Sequence, residues 1–345
     1  MRAIKENSII VFLYFLLSYP LFYYAYKFGS PDFGNNDFYS YYHLYKNWDF
    51  DAVESPFNTR LISSFFIFLF NQIGFFYKTK ISYYNIAIDQ RVFFNAVFVN
   101  YLSLVMTAYV MYKMIYKFFL NKLFAFASGL LAFLGFGALF YSLNTLTESF
   151  SILLFALIYY SYQSRSNWII PLLFLAVLQR EYIFFITGLV SLVHYLFDKS
   201  ERKYFISIFA YSILGFGIYY ILRKTLFYTP YFSSQLDISN LFERLFNPGF
   251  PIGEYFRQSF LNQNIFLLYI LILIYKIYNR LSFDKLNLFI VFLLYVQAHF
   301  VSIVAVLGNS CGRYFYITLP LIVFFIAQEV APLIVSNIQI ENNNK

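Results

Sequence analysis

One cysteine, Cys311, occurs in 345 residues, which excludes an intrachain disulfide and any zinc site built on paired thiolates. Histidine is nearly as scarce, and His43, His194 and His299 are too scattered to make a metal triad. Charged residues are only 12% of the chain, too few to cover a water-exposed surface of this size. With 13 glycines and no phosphate-cradling run among them, the chain has no P-loop, no dinucleotide fingerprint and no Gly-x-Ser-x-Gly elbow. A His-Glu-x-x-His pair is also missing. These absences argue against a hydrolase and a nucleotide-driven pump.

What is abundant is apolar: 60% of residues are hydrophobic and 25% aromatic, so a bilayer must be the solvent. The net charge of +8 does not indicate nucleic acid, because Lys and Arg are dispersed into loops between apolar runs. Runs able to cross roughly 30 Å of hydrocarbon lie at 8–28, 91–112, 123–142, 146–162, 168–179, 182–197, 204–222, 263–279, 286–307 and 314–335. The fold expected is an all-α, polytopic transmembrane bundle of about ten spans, one domain over residues 1–345, with both termini cytoplasmic. The first run follows Arg2 and Lys5 as a secretory signal would. It is long, aromatic at its end and lacks a small-residue cleavage site, so it reads as an uncleaved span.

Orientation follows from the basic loops. Lys113, Lys117 and Lys122, then Arg165, then Lys199, Arg202 and Lys203, then Lys276, Arg280 and Lys285 should all face the cytoplasm. That holds if the apolar helix at about 60–77 does not cross. Its pattern suits an interface or cavity wall, since Arg60, Ser63, Ser64, Asn71, Gly74 and Lys78 share one face. Two long outer segments result, 29–90 and 223–262, each carrying juxtamembrane helices. The second contains Pro230, Pro248 and Pro251, and an amphipathic helix around Leu236 to Phe246. The pair 168–179 and 182–197 must go out and return; a 12-residue arm rises only about 18 Å. Its tip, with Arg180 and Glu181, therefore stays at membrane depth, where polar backbone is tolerated only inside protein or beside water.

The outer face thus collects Asp37, Asp49, Asp51, Glu54, Arg60, Glu148, Arg180, Glu181 and Arg313. A charge near the hydrocarbon core costs about 2.5–3.5 kcal/mol on insertion scales, which makes such residues candidates for a site. For Glu148, Arg180, Glu181 and Arg313 the alternative is an interhelical ion pair. Arg60, Arg180 and Arg313 can each offer a bidentate fork to a phosphate, with Glu148 and Glu181 orienting them or a sugar. Asp37 can act as a general base, or simply cap the helix beginning at Phe38. Tyr41 and Tyr42 can stack on a sugar or serve as interfacial anchors.

These residues resemble a family. An acid soon after the first span (Asp37), Pro-Phe-x-x-x-Arg-Leu at Pro56 to Leu61, Thr147-Glu148 opening a span, Arg180-Glu181 at a hairpin tip, and Gly312-Arg313-Tyr314 with Pro320 are together similar to the GT-C superfamily. Those are polytopic glycosyltransferases using polyprenyl-phosphate-linked sugars on the outer face. The resemblance implies Asp37 as catalytic base toward a glycan or lipid acceptor, with inversion at the anomeric carbon. It implies Arg60, Arg180 and Arg313 as ligands of the departing lipid phosphate. Asn35 and Asn36 stand where paired acids are common, which speaks against a divalent metal, and no other cofactor is implied. The partners implied are the donor, the acceptor and membrane lipids, with no nucleic acid. The location implied is a bacterial inner membrane, with which the lack of any Asn-x-Ser/Thr acceptor site is compatible. Asn-Asp-Phe-Tyr after the first span and Glu54 before a helix also resemble Wzy-type polysaccharide polymerases, which use lipid diphosphate-linked oligosaccharides. A lipid or glycan flippase is the third reading; it would be favoured by repeat symmetry and broken midplane helices, which the sequence does not display.

Overall fold

Thirteen α-helices and no strand make up the described residues of the computed structural model. Those residues are 2–29, 37–54, 57–74, 88–134, 137–138, 147–227, 264–304 and 311–343. The helices are α1 (Arg2–Phe28), α2 (Asp37–Asn47), α3 (Leu61–Ile73), α4 (Gln90–Phe119), α5 (Lys122–Leu130), α6 (Glu148–Gln163) and α7 (Ile169–Ala176). They continue with α8 (Tyr182–Phe197), α9 (Arg202–Thr225), α10 (Asn264–Tyr278), α11 (Lys285–Val304), α12 (Cys311–Tyr316) and α13 (Leu319–Asn343). The amphipathic helix expected around Leu236 to Phe246 lies outside the described residues.

Each of the expected apolar runs contains helix. Three of these helices are long and apolar enough to cross a membrane: α1 from Lys5, α4 and α9. They differ in what surrounds them. The apolar window of α4 is 78% buried, against 22% for α1 and 28% for α9. Helix α4 is thus the central post, packed by α1, α3, α5, α6 and α13, while α8 and α9 pair beside α6 and α7. The outside of the bundle is apolar, with Phe12, Leu16 and Leu17 of α1, Ile213 and Ile221 of α9 and Ile274 of α10 all exposed. The inside holds Asn95, Asn100, Glu148, Gln179, Arg180, Lys276 and Glu329, all buried. This inversion is what a hydrocarbon solvent requires, because water no longer sorts residues by polarity.

Local chemistry places the helix ends. The Asp89 side chain accepts from the Arg91 N–H at 2.9 Å and starts α4; Asn121 accepts from Phe124 N–H at 2.9 Å and starts α5. Stops are made without glycine at several ends. Trp48, Leu120, Arg165 and Arg280 adopt left-handed φ values of 56°, 55°, 53° and 56°. At Arg165 the Ser166 N–H donates to Ser161 C=O at 2.9 Å and the Arg165 N–H to Tyr162 C=O at 3.2 Å. That is a Schellman closure built on an arginine.

The turn ends carrying basic loops gather at one end of the bundle. Lys122 pairs with Glu6 at 2.5 Å, and Arg165 pairs with Glu201. His194, one turn from the end of α8, interacts electrostatically with Arg165, Asp198 and Asp284. Lys276 and Glu329 form a buried pair between α10 and α13, and Glu329 also accepts from Asp284 N–H at 2.9 Å. At the exposed α8–α9 connection, hydrogen bonds from the Ser200 hydroxyl and N–H hold the Asp198 carboxyl below the usual range.

Helix α3 has 13 residues, which rise about 20 Å, short of the hydrocarbon thickness. Its polar residues Ser63, Ser64 and Asn71 are buried while Phe65, Phe66 and Leu69 are exposed, the face division expected of a wall helix. Asn71 donates to Tyr45 C=O at 2.7 Å and accepts from Asn95 at 2.6 Å, tying α2, α3 and α4 together.

Where α1, α4 and α5 meet, the Tyr14 hydroxyl donates to Phe126 C=O at 3.0 Å and lies against Gly129. A Cβ at Gly129 would also come within 2.7 Å of the Ala108 carbonyl oxygen, whereas one at Gly217 in α9 would meet nothing. Gly129→Ala should therefore destabilise the detergent-solubilised protein by roughly 1–3 kcal/mol. Gly217→Ala should be neutral or stabilising by about 0.5–1 kcal/mol. Thermal unfolding of the two variants side by side checks both signs.

Candidate functional site

An α-helix leaves its first N–H groups without intrahelical acceptors, and at membrane depth water cannot supply them. For α3 they are supplied from far along the chain. The N–H groups of Leu61 and Ile62 donate to Leu178 C=O at 2.8 and 3.3 Å. The Ser63 N–H donates to the Gln179 side-chain oxygen at 3.1 Å. The Gln179 amide nitrogen in turn lies 3.2 Å from Ser63 Oγ, 3.1 Å from Thr147 C=O and 3.2 Å from Ser151 Oγ. The α7–α8 connection therefore caps α3 and holds the start of α6 at once. Gln179 is fully buried.

That capping brings together the residues flanking it, Arg60 ahead of α3, Glu148 at the start of α6, and Arg180 and Glu181 ahead of α8. Arg180 forms a charge-assisted hydrogen bond with Glu148, with 1% and 0% of their side chains exposed. This is the interhelical pair that the sequence left open as an alternative for both. Arg180 Nε and Nη1 have no hydrogen-bond acceptor among the described residues. The guanidinium also stands 5.8 Å from the ring centre of Tyr314 at the end of α12, and Tyr314 packs edge-on against Tyr182 at 4.9 Å.

Arg60 is buried beneath α2. Its guanidinium donates to the Tyr41 hydroxyl and lies 5.8 and 5.7 Å from the ring centres of Tyr41 and Phe57. Glu181 is the shared counter-charge: Arg60, Arg180 and Arg223 all act on its carboxylate, opposing the cost of burial. Arg223 enters from the last turn of α9, where its Nη1 lies 3.4 Å from the Tyr219 hydroxyl. The Tyr219 hydroxyl also hydrogen-bonds Thr59. Three guanidinium groups, one ahead of α3, one ahead of α8 and one in the last turn of α9, so act electrostatically on one carboxylate, at the end of α6 opposite Arg165.

The expected site residues fall into three groups. Arg60, Arg180, Glu148 and Glu181 are brought together. Tyr41 is fully buried and bonded to Arg60, and Tyr42 accepts from Asp89 N–H at 3.0 Å, so both tyrosines tie α2 to its neighbours. The side chains of Asp37 and Arg313 lie outside the described residues; Asp37 is the first residue of α2, four positions before Tyr41, and Arg313 is next to Tyr314. Asp49 accepts from the N–H groups of Asp51 and Ala52 at 3.1 and 3.3 Å, closing the turn after α2. Among the described residues no cluster of three metal-ligating side chains occurs.

Gln179 and Arg223 escaped sequence reading. Arg223 carried a usable signal, since Arg223-Lys224 is a basic pair at the end of a span where the orientation rule expects few. Gln179 carried none, because its role depends on an acceptor and donors 28 and 116 residues away. Compared with known protein families, with curated proteins and with solved structures, the chain finds no match in any of the three.

Removing one partner of a buried pair leaves an uncompensated charge, at a cost of about 3–5 kcal/mol, whereas replacing both by apolar residues of similar volume is often neutral. Glu148→Leu should therefore lower the thermal midpoint sharply, and Glu148→Leu with Arg180→Met should recover most of it. Gln179→Glu keeps the acceptor for Ser63 N–H and loses the donor to Thr147 C=O, so it should cost about 1–3 kcal/mol. Unfolding in detergent measures all three.

Proposed function

We propose that the chain is a membrane-embedded glycosyltransferase that moves a sugar from a polyprenyl-phosphate donor to a glycan or lipid acceptor on the non-cytoplasmic face. The observation that carries this reading is the buried Arg180, paired with Glu148 yet with Nε and Nη1 unmet among the described residues, in the electrostatic company of Arg60, Arg223 and Glu181 at the end opposite the basic loops. Glu148 holds Arg180 through one of its guanidinium nitrogens. Arg180 Nε and Nη1 have no acceptor among the described residues, and a phosphate can supply one.

In this reading the Asp37 carboxylate takes the proton of an acceptor hydroxyl. The hydroxyl oxygen then bonds the anomeric carbon as the bond from that carbon to the phosphate oxygen breaks, inverting the centre. The electron pair leaves on the lipid phosphate, whose growing charge the guanidinium groups stabilise more in the transition state than in the ground state. Glu148 holds Arg180 in place, and Gln179 holds the connection that presents it. In this reading the chain makes about ten crossings of a bacterial inner membrane with the basic loops inside, and this end faces the outer leaflet.

Asp37→Asn should abolish transfer from a labelled polyprenyl-phosphate sugar while the protein stays inserted and folded. Arg223→Ala should lower kcat/KM by roughly 10²-fold, the scale for one lost donor to a developing anion. Mass spectrometry of lipids bound to the purified protein checks the donor class. A polyprenyl diphosphate-linked oligosaccharide in place of the monophosphate sugar would assign polymerase chemistry, and no polyprenyl lipid of either kind would overturn the transferase reading.

A further inference from the structure

The opposite end of the bundle has a cavity that the transfer reaction does not use. It lies where α4 and α6 end and α7 begins, has a volume of about 600 Å³, and is lined by Lys117, Tyr160, Ser161, Ser164, Ser166 and Trp168. Sites for small ligands span about 300–1,000 Å³, so a head group fits and a folded partner does not.

Its chemistry is specific. The only charged residue lining it is Lys117, whose Nζ stands 5.6 Å from the Tyr160 ring centre, and no carboxylate pairs with it among the described residues. Lys122 and Arg165 nearby are each occupied by a glutamate. Three serine hydroxyls complete the polar lining, and the buried Ser164 Oγ has no hydrogen-bond partner among the described residues. Two helices end here, and bare carbonyls would repel an anion. Three of those of α6 are occupied: Tyr160 C=O by Ser164 N–H at 3.0 Å, Ser161 C=O by Ser166 N–H at 2.9 Å, and Tyr162 C=O by Arg165 N–H and by Arg165 Nη1 at 3.0 Å.

We infer that this cavity binds the phosphodiester head group of an anionic membrane lipid bearing free hydroxyls, of the glycerol-phosphate kind. One lysine matches the single charge of a phosphodiester, where a free phosphate would bring nearly two. Serine hydroxyls can donate to phosphate oxygens and pair with head-group hydroxyls. Leu157 and Leu172 form the remaining wall, and Trp168 is 71% exposed with Leu175 and Phe174 exposed farther along α7. That is the order of head group, interfacial ring and acyl surface along a membrane normal.

The test uses the full chain in detergent micelles with added lipid. Phosphatidylglycerol should raise the thermal midpoint and remain bound in native mass spectrometry, and phosphatidylcholine and inorganic phosphate should do neither. Lys117→Gln should weaken phosphatidylglycerol binding about fivefold, the worth of one lysine near an anionic head group. Ser164→Ala, which leaves the charge in place, should also weaken it, and Lys203→Gln outside the cavity should not. Equal binding of phosphatidylcholine, equal stabilisation by inorganic phosphate, or undiminished binding by both Lys117→Gln and Ser164→Ala would each overturn the assignment. If Lys117→Gln fails to fold, Ser164→Ala and the lipid comparison still decide it.

Discussion

The first turn of α3 begins inside the protein, and its exposed amides must be satisfied by something other than water. Leu178 C=O and the Gln179 side chain do this. Because unsatisfied backbone in hydrocarbon costs several kcal/mol per group, this contact fixes α3 against the α7–α8 connection more firmly than apolar packing could. Lipid is as apolar as leucine, so burial of leucine gives helices no reason to associate. The arginines follow from the capping. Arg60 immediately precedes α3 and Arg180 immediately follows Gln179, so joining the two backbones forces two cations into one neighbourhood, and Glu181 and Glu148 are the counter-charges that make this tolerable.

Two buried ion pairs among the described residues differ in how fully their polar atoms are used. Lys276 and Glu329 lie at the basic-loop end, and there Glu329 is saturated, taking Lys276 with one oxygen and Asp284 N–H with the other. Arg180 and Glu148 lie at the other end, and there the guanidinium keeps two donor nitrogens unused among the described residues. A pair whose only task is to join helices would be expected to resemble the first, since each unmet donor in a low-dielectric interior carries a desolvation cost.

Much of the helical plan could be read from the chain, because apolar runs and basic loops are strong signals when bilayer thickness sets the length scale. The inverted face of α3 was legible for the same reason: Ser63, Ser64 and Asn71 recur at helical spacing on one side. At the site, Arg60, Arg180, Glu148 and Glu181 could be nominated individually from the cost of placing a charge in lipid. Which of them pair could not, as Glu148 could have met any of several arginines. Tyr41 and Tyr42 show the limit of composition: an aromatic near an interface looks the same whether it faces a ligand or, as Tyr41 does, a buried guanidinium. Gln179 was beyond reach, since an uncharged amide in an apolar hairpin has no distinguishing pattern until its partners are known.

The helix stops at Trp48, Arg165 and Arg280 use side chains that favour the head-group zone in a conformation where glycine would be cheaper. Termination and anchoring therefore reside in the same residues. A helix that slid by one turn along the membrane normal would pull an indole into water or a guanidinium into oil, so the bundle's depth is pinned at several points. The arginine cluster can be kept at a constant distance from the lipid surface by this means.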